Sequence, residues 1–476
     1  MQGERAVKTT LVYPGITGKG FESLGQGMDS GWISHGLAIL ASCAKEKGCA
    51  VDLLDLRALS SWDHYREQLW VRRPDIVGVS MMSVDYNPGM ECLRSAREVL
   101  PDAVTVLGGP HPTLVLDEVR DSPHVDHIFL GEAEITFTEF LARQQQGEPS
   151  ARIIPSVHPD LDALPFTDFE FFLEEWRKWG YGSDSPEAPF VKELPPPFVT
   201  IITGRGCRYN CRYCQPAERF IFGRDVRQRS VSNVLAELQE LWNRYRFRSF
   251  MFHDDCLTED RDWVIEFCEA YRSAGFRQPF FCQSRADIIV KNEDMVQLMA
   301  QAGLRGYFIG FESGNDRVLR FIRKGTKRRD NLEAARICKK HGIAIWANYM
   351  LGLPTETKEE VMETIQMLKQ IDPDYYSPAF YTPHPGSDLY TYCVENNLSL
   401  IQSHDGYRRN PNPSEPKIKG VDYTWLRWAL AESQRRTLPN QTKRGARQWW
   451  QRLAHPGKVV RKLRQMASRR RMSTVA

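Results

Sequence analysis

Short apolar runs rich in β-branched residues alternate with helical stretches along this 476-residue chain, in two separate series. In the first series, TTLVYP (9–14), VDLLDL (51–56), DIVGVSMM (75–82), AVTVLGG (103–109) and HIFLGE (127–132) read as strands. The third is nearly continuous in apolar residues, as a parallel strand covered on both faces must be. WISHGLAILASCAKEKG (32–48), ECLRSAREVL (91–100), DEVRDSP (117–123) and EITFTEFLARQQQ (134–146) read as helices, the first stopped by Gly48. Five β–α repeats predict an α/β fold with a doubly wound, Rossmann-like sheet over residues 1–146. Ligands on such sheets lie at the carboxyl ends of the strands, here 13–15, 80–82, 108–110 and 131–132.

Residues 147–197 are rich in proline and acidic side chains and read as a linker, closed by the prolines 195–197. A second series follows: FVTIITG (198–204), FRSFMFHDD (247–255), PFFCQSR (279–285), GYFIGFES (306–313), IAIWANYMLGLP (343–354) and YYSPAFYT (375–382). Six strands with helices between them, such as SVSNVLAELQELWNRY (230–245), predict a partial (β/α)6 barrel over 198–395. Residues 396–476 form a C-terminal region, polar at first and helical from about Tyr423.

The first strand of the second series runs directly into GRGCRYNCRYC, where Cys207, Cys211 and Cys214 have the spacing C-x3-C-x2-C. Three thiolates on one short loop suit an iron–sulfur cluster with one iron left unligated. That iron can chelate a small molecule, as an open position does at any catalytic metal. A structural zinc site would want a second C-x2-C pair, and none follows. The eight other cysteines are scattered without framework spacing, which points to a reducing, cytoplasmic setting. The N-terminus MQGERAVKTT does not read as a signal peptide, and no run of 18 apolar residues exists.

The net charge of +3 conceals an asymmetry. Residues 441–476 carry 11 Lys and Arg and no Asp or Glu, leaving 52 basic against 60 acidic residues elsewhere. That acidic remainder disfavours a nucleic-acid footprint. The tail, with Trp449 and Trp450, reads as a solvated basic segment, with peripheral contact to an anionic membrane as the alternative.

The cysteine loop, with Tyr213 just before its last cysteine, resembles the signature of the radical S-adenosylmethionine (radical SAM) enzymes. The resemblance extends strand by strand through the second series. It implies a 4Fe–4S cluster held by Cys207, Cys211 and Cys214, with SAM on the free iron. The backbone around Tyr213 would then lie near the adenine. Asp254, in the FHDD turn, would accept hydrogen bonds from the SAM ammonium, though Asp254 and Asp255 could also cap the next helix. Arg285 would lie near the SAM carboxylate, Glu312 and Ser313 near the ribose, and Gly352 against the adenine. The paired Asp resembles the subgroup containing the anaerobic magnesium-protoporphyrin ester cyclase.

Residues 8–145 resemble the cobalamin-binding domain found ahead of such cores, in the segments VSMMSVD, LGGPHPT and FLGEAE. The resemblance implies cobalamin held by Ser80, Gly108, Gly109, Gly131 and Glu132. The D-x-H-x-x-G motif that supplies a lower cobalt ligand is missing. YPGITGKGFESLG stands in its place, with His35 and His111 elsewhere. Gly-rich residues 15–27 either wrap a ligand or form an ordinary loop.

Together these features imply a cobalamin-dependent radical SAM enzyme, foremost a C-methyltransferase acting on an unactivated carbon. The alternative is an oxidative cyclase of the magnesium-protoporphyrin ester type. An RNA-modifying methylthiotransferase would need a second cysteine set and an RNA-binding module. A cobalamin carrier would have no use for the cysteine loop. The expected partners are a small-molecule or lipid-like substrate and an electron donor such as flavodoxin or ferredoxin. Tyr381, His384, Cys256 and Cys282 are the weaker substrate-pocket candidates at the barrel mouth.

Overall fold

A computed structural model describes residues 7–16, 20–25, 32–181, 191–214, 218–223, 225–408 and 415–437, with Asn440 and Thr442. Five strands of the first series form where the apolar runs lie: β1 (Lys8–Tyr13), β2 (Ala50–Asp55), β3 (Ile76–Ser80), β4 (Val104–Gly108) and β5 (His127–Phe129). A sixth, β6 (Ile153–Ile154), extends the sheet. All pairings are parallel, in the order β2-β1-β3-β4-β5-β6. This is the doubly wound order, with its crevice at the switch between β1 and β3. Alternate residues of β1 serve opposite faces. Leu11 packs with the helix His35–Glu46, whereas Val12 packs with Leu54, Tyr65 and Leu93.

Three local readings are corrected. The helix expected at 117–123 lies earlier, at Pro110–Leu114, followed by a single 3-10 turn at Leu116–Glu118. Pro110 starts that helix because its fixed φ suits the first helical position. The helix Trp62–Arg72 was not foreseen, since it buries only Tyr65 and Leu69 and so carries little apolar pattern. The linker is partly structured. It contributes β6 and the helix Glu170–Lys178, whose Phe172 and Trp176 join the core under β1 and β2.

The second series gives β7 (Phe198–Ile201), then β8 (Gly204–Arg205) and β9 (Arg227–Gln228), which pair antiparallel as a small ribbon. β10 (Ser249–Phe252), β11 (Phe280–Ser284), β12 (Leu304–Glu312), β13 (Ala344–Leu351) and β14 (Tyr375–Phe380) follow. The six-stranded sheet is wholly parallel, β14-β13-β12-β11-β10-β7, an open half-barrel in chain order. β7 and β10 are buried at every residue, which explains why they are apolar but for Thr200 and Ser249. Ser230 caps the helix Val231–Tyr245, and Thr357 with Glu360 forms a capping box on Lys358–Ile371. The helix Tyr423–Gln434 begins where expected and lies on Lys358–Ile371.

One apolar core runs from Leu11, Leu37 and Phe137 through Phe169 and Phe172 to Val199, Ile201 and Phe250. The two sheets are therefore joined by packing as well as by chain. Polar ties cross the same boundary. His35 Nε2 lies 2.8 Å from Thr200 Oγ1, and Arg205 bonds Glu132 at 2.5 Å. No described helix is long and apolar enough to cross a membrane. The basic tail, apart from Thr442, lies outside the described residues, as do residues 17–19 and 26–27 of the Gly-rich loop.

Candidate functional site

The carboxyl ends of the two sheets meet around one large cavity of about 580 Å³, within the roughly 300–1,000 Å³ typical of cofactor pockets. The first domain lines it with Tyr13, Ser80, Gly108, Gly109, Gly131 and Glu132, and the second with Thr203, Arg205, His253, Asp254 and Asp255. Sheet register explains the first set: Ser80 pairs with Gly108 on neighbouring strand ends. Ile201 pairs with Phe252 in the same way, which sets the start of the cysteine loop beside His253. The wall between is mainly apolar, from Leu37, Val79, Val106, Phe129, Phe166 and Phe222.

The glycines are fixed by their own chain. Gly109 has φ +100, and a Cβ there would lie 2.7 Å from the Met81 nitrogen. Gly131 has φ +60, and a Cβ would reach 2.8 Å from Ser156 Cβ. Both positions therefore need glycine even before any ligand approaches. Glu132, expected to take a ribose hydroxyl, is buried and paired with Arg205 and Arg227. A carboxylate removed from water requires such partners, and here they come from the other domain.

Sequence reasoning left His35 outside the cofactor region, but the structure puts it on the cavity wall with His253, ring centroids 5.6 Å apart. His35 Nδ1 and His253 Nε2 are buried without hydrogen-bond partners. Burial lowers the His35 pKa to about 3 and that of His253 to about 4, so both rings are neutral at pH 7.

Asp254 is held from within. Its Oδ1 accepts from the Thr203 hydroxyl at 2.7 Å and from the Thr203 N–H at 3.1 Å. Burial still raises its pKa to about 6. Neither Asp254 nor Asp255 caps the following helix. Asp260 does, accepting from Asp262 and Trp263 N–H.

Around the cysteines, Arg285 and Lys324 organise the site. Arg285 donates to Lys324 O at 2.5 Å, pairs with Asp287 at 3.0 Å and lies over the Tyr209 ring. Lys324, which the sequence reading missed, is buried and lies 3.1 Å from both Glu312 Oε1 and Tyr213 Oη. Glu312 takes φ +61, a conformation L residues rarely adopt, stabilised here by the ion pair with Lys324. The structure thus gathers Tyr213, Arg285 and Glu312 around the cysteine loop.

Ser313 and Gly352 both make packing contacts within the chain. Ser313 is buried and faces Thr364 at 3.2 Å, bracing the helix Lys358–Ile371. Gly352 lies under the C-terminal helix, where a Cβ would stand 2.6 Å from Leu426. None of Tyr381, His384, Cys256 or Cys282 is among the lining residues of the main cavity. Cys282 is in the apolar core, and Tyr381 packs with Met350 and Leu389.

Comparison with known proteins agrees with both halves. Residues 201–368 match the Radical SAM superfamily, and residues 29–141 match the B12 binding domain. The chain is 27% identical over 393 residues to an uncharacterised methyltransferase of Pyrococcus horikoshii, covering 78% of this chain and 81% of that one. It is 28% identical to the anaerobic magnesium-protoporphyrin IX monomethyl ester cyclase of Rubrivivax gelatinosus, covering 81% and 69%. The fold matches OxsB, a cobalamin-dependent S-adenosylmethionine radical enzyme, with TM-score 0.69 at 17% identity, over 90% of this chain and 66% of OxsB. It also matches the radical SAM methyltransferase TsrM of Kitasatospora setae, with TM-score 0.65 at 16% identity, over 90% and 91%. The chain therefore carries a segment that matches the B12 binding domain, followed by one that matches the Radical SAM superfamily.

Proposed function

We propose that this protein is a cobalamin-dependent radical SAM C-methyltransferase. The observation that carries the reading is the shared cavity. The cobalamin-type strand ends of one domain and the FHDD turn of the other line a single cavity. Cys207, Cys211 and Cys214 would hold the cluster, and Ser80, Gly108, Gly109 and Gly131 would border the cobalamin. The donor set fits a cluster. The three cysteines form no disulfide and are partly exposed on one loop.

When bound, the cluster supplies an electron, SAM supplies the radical that removes hydrogen from an unactivated carbon, and cobalamin supplies a transferable methyl group. The chain's own residues bind and orient. Lys324, paired with Glu312, ties that carboxylate to Tyr213 beside the cysteine loop. Arg285, paired with Asp287, lies next to Cys211. Asp254, through Thr203, fixes the turn on which the cysteine loop begins. The apolar wall excludes water, which protects reactive species from side reactions.

Sequence relatives named as methyltransferases support methyl transfer: the P. horikoshii protein, the Streptomyces wedmorensis cytidylyl-2-hydroxyethylphosphonate methyltransferase and the Methylococcus capsulatus hopanoid C-3 methylase. The cyclase relatives favour the second reading, a radical cyclisation. Anaerobic reconstitution with iron, sulfide and hydroxocobalamin, followed by SAM and reductant, separates the two. 5′-Deoxyadenosine together with S-adenosylhomocysteine and methylcobalamin is the methyltransferase outcome. 5′-Deoxyadenosine with bound but unmethylated corrin is the cyclase outcome. A chain that retains no corrin overturns both.

A further inference from the structure

Away from the cavity, three potential ligands converge where the C-terminal region meets the first domain. His111 stands on the short helix Pro110–Leu114, Glu118 ends the next turn, and His404 opens the turn His404–Tyr407. The potential ligand atoms of the three all lie within 4.8 Å of one another. Glu118 Oε2 is 3.6 Å from His111 Nε2 and 2.6 Å from His404 Nε2.

The buried partner is the informative one. His111 is 0% exposed, and its Nε2 makes no hydrogen bond. A buried polar nitrogen left unsatisfied costs about 1–3 kcal/mol. Its other nitrogen, Nδ1, lies 3.1 Å from Ser83 Oγ. With Nδ1–H donating to that hydroxyl, the Nε2 lone pair points toward Glu118 and His404. An outer hydrogen bond that fixes the tautomer in this way is the usual companion of a metal-bound imidazole. Tyr86 holds the second imidazole, stacked on His404 at 3.8 Å, and meets His111 edge-on at 5.2 Å.

We propose that His111, Glu118 and His404 form a binding site for a divalent first-row cation, with Zn2+ the best match, that fastens the C-terminal region to the first domain. Two imidazoles and one carboxylate are a common zinc donor set, with water in the fourth position. Ligand bonds of about 2.0–2.2 Å put neighbouring donor atoms about 3.3 Å apart in a tetrahedron. The 3.6 Å separation is near that value. The 2.6 Å contact opens slightly once the proton shared by Glu118 and His404 leaves. The bond joins residues 286 positions apart in sequence, so a cation here clamps a long loop. Asn87 and Asp405 make a further contact across the same junction, at 3.1 Å.

The test uses the full-length, cluster-reconstituted protein, with Zn2+ alone as the probe. The protein is given equimolar Zn2+ anaerobically, desalted and assayed for zinc and iron. Wild type should retain zinc with an affinity at least tenfold above that of His404→Ala and of Glu118→Gln, at equal iron content. His404 is partly exposed, so its replacement leaves the fold intact. The zinc absorption edge should show only nitrogen and oxygen neighbours. Zinc retained equally by wild type and His404→Ala, or sulfur in its coordination shell, would overturn the proposal, because the metal would then be elsewhere.

Discussion

Arg285 holds a guanidinium nitrogen 3.8 Å from the Cys211 sulfur, with its Cζ 3.6 Å from the centre of the Tyr209 ring. Hydrogen bonds and positive charge beside a ligating sulfur raise the reduction potential of an iron–sulfur cluster. Arg285→Met should therefore shift the potential of the reconstituted cluster to more negative values. It should also weaken iron retention by on the order of tenfold, the usual effect of removing an outer-shell partner. An anaerobic redox titration followed by electron paramagnetic resonance reads both. An unchanged potential would remove Arg285 from the electronic environment of the loop.

Lys324 and Glu312 are a buried pair, 7% and 10% exposed at their side chains. Removing one member of such a pair costs about 3–5 kcal/mol, because the other charge remains in low dielectric. Lys324→Met should lower the unfolding free energy by that amount. Tyr213→Phe, which leaves both charges in place, should cost less, about 0.5–1.5 kcal/mol per hydrogen bond lost. Urea unfolding of the two variants gives the comparison, and equal effects would contradict the ion-pair account.

Glu356 accepts N–H bonds from Gly352 at 2.8 Å and Leu353 at 3.2 Å, yet burial raises its pKa from 4.5 to about 8. Between those values the folded state binds the proton and the unfolded state does not. Stability from this group therefore falls as pH rises from about 4.5 to about 8. His35 and His253 act in the opposite sense, since the unfolded rings take protons near 6.5 and the folded ones only near 3 and 4. Their contribution is lost as pH falls below 6.5. Glu356→Gln should flatten the decline of Tm between pH 5 and pH 8, and a slope identical to wild type would exclude this carboxyl as its source.

Gly109→Ala should act on both fold and cavity. Its φ of +100 is unfavourable for alanine, and the new Cβ would meet the Met81 backbone at 2.7 Å. A residue forced into such a region costs about 1–3 kcal/mol. Retention of hydroxocobalamin, measured by its absorption after desalting, should fall together with Tm. Normal retention in a destabilised variant would separate the glycine's packing role from the cavity.

The strands were legible because each is a short apolar run between turn residues, and β7 and β10 have no exposed position to interrupt it. The cysteine loop stood out because its three cysteines are neighbours in sequence. Pairs distant in sequence were not. Arg205 and Glu132 are 73 residues apart, and Lys324 and Tyr213 are 111 apart. Nothing local marks either cation as a buried partner. β6 escaped notice because two residues in a proline-rich stretch carry no period. The packing of Ser313 on Thr364 and of Gly352 under Leu426 was hidden as well, since the partners lie far along the chain.

The cavity wall begins at Leu11 and is complete only with Asp255. Since it is built from both domains, it cannot exist while the first domain alone has left the ribosome. The first sheet must then fold with its strand ends open, protected only by its own loops. Any large occupant is enclosed late, after β10 has emerged and the second sheet has docked.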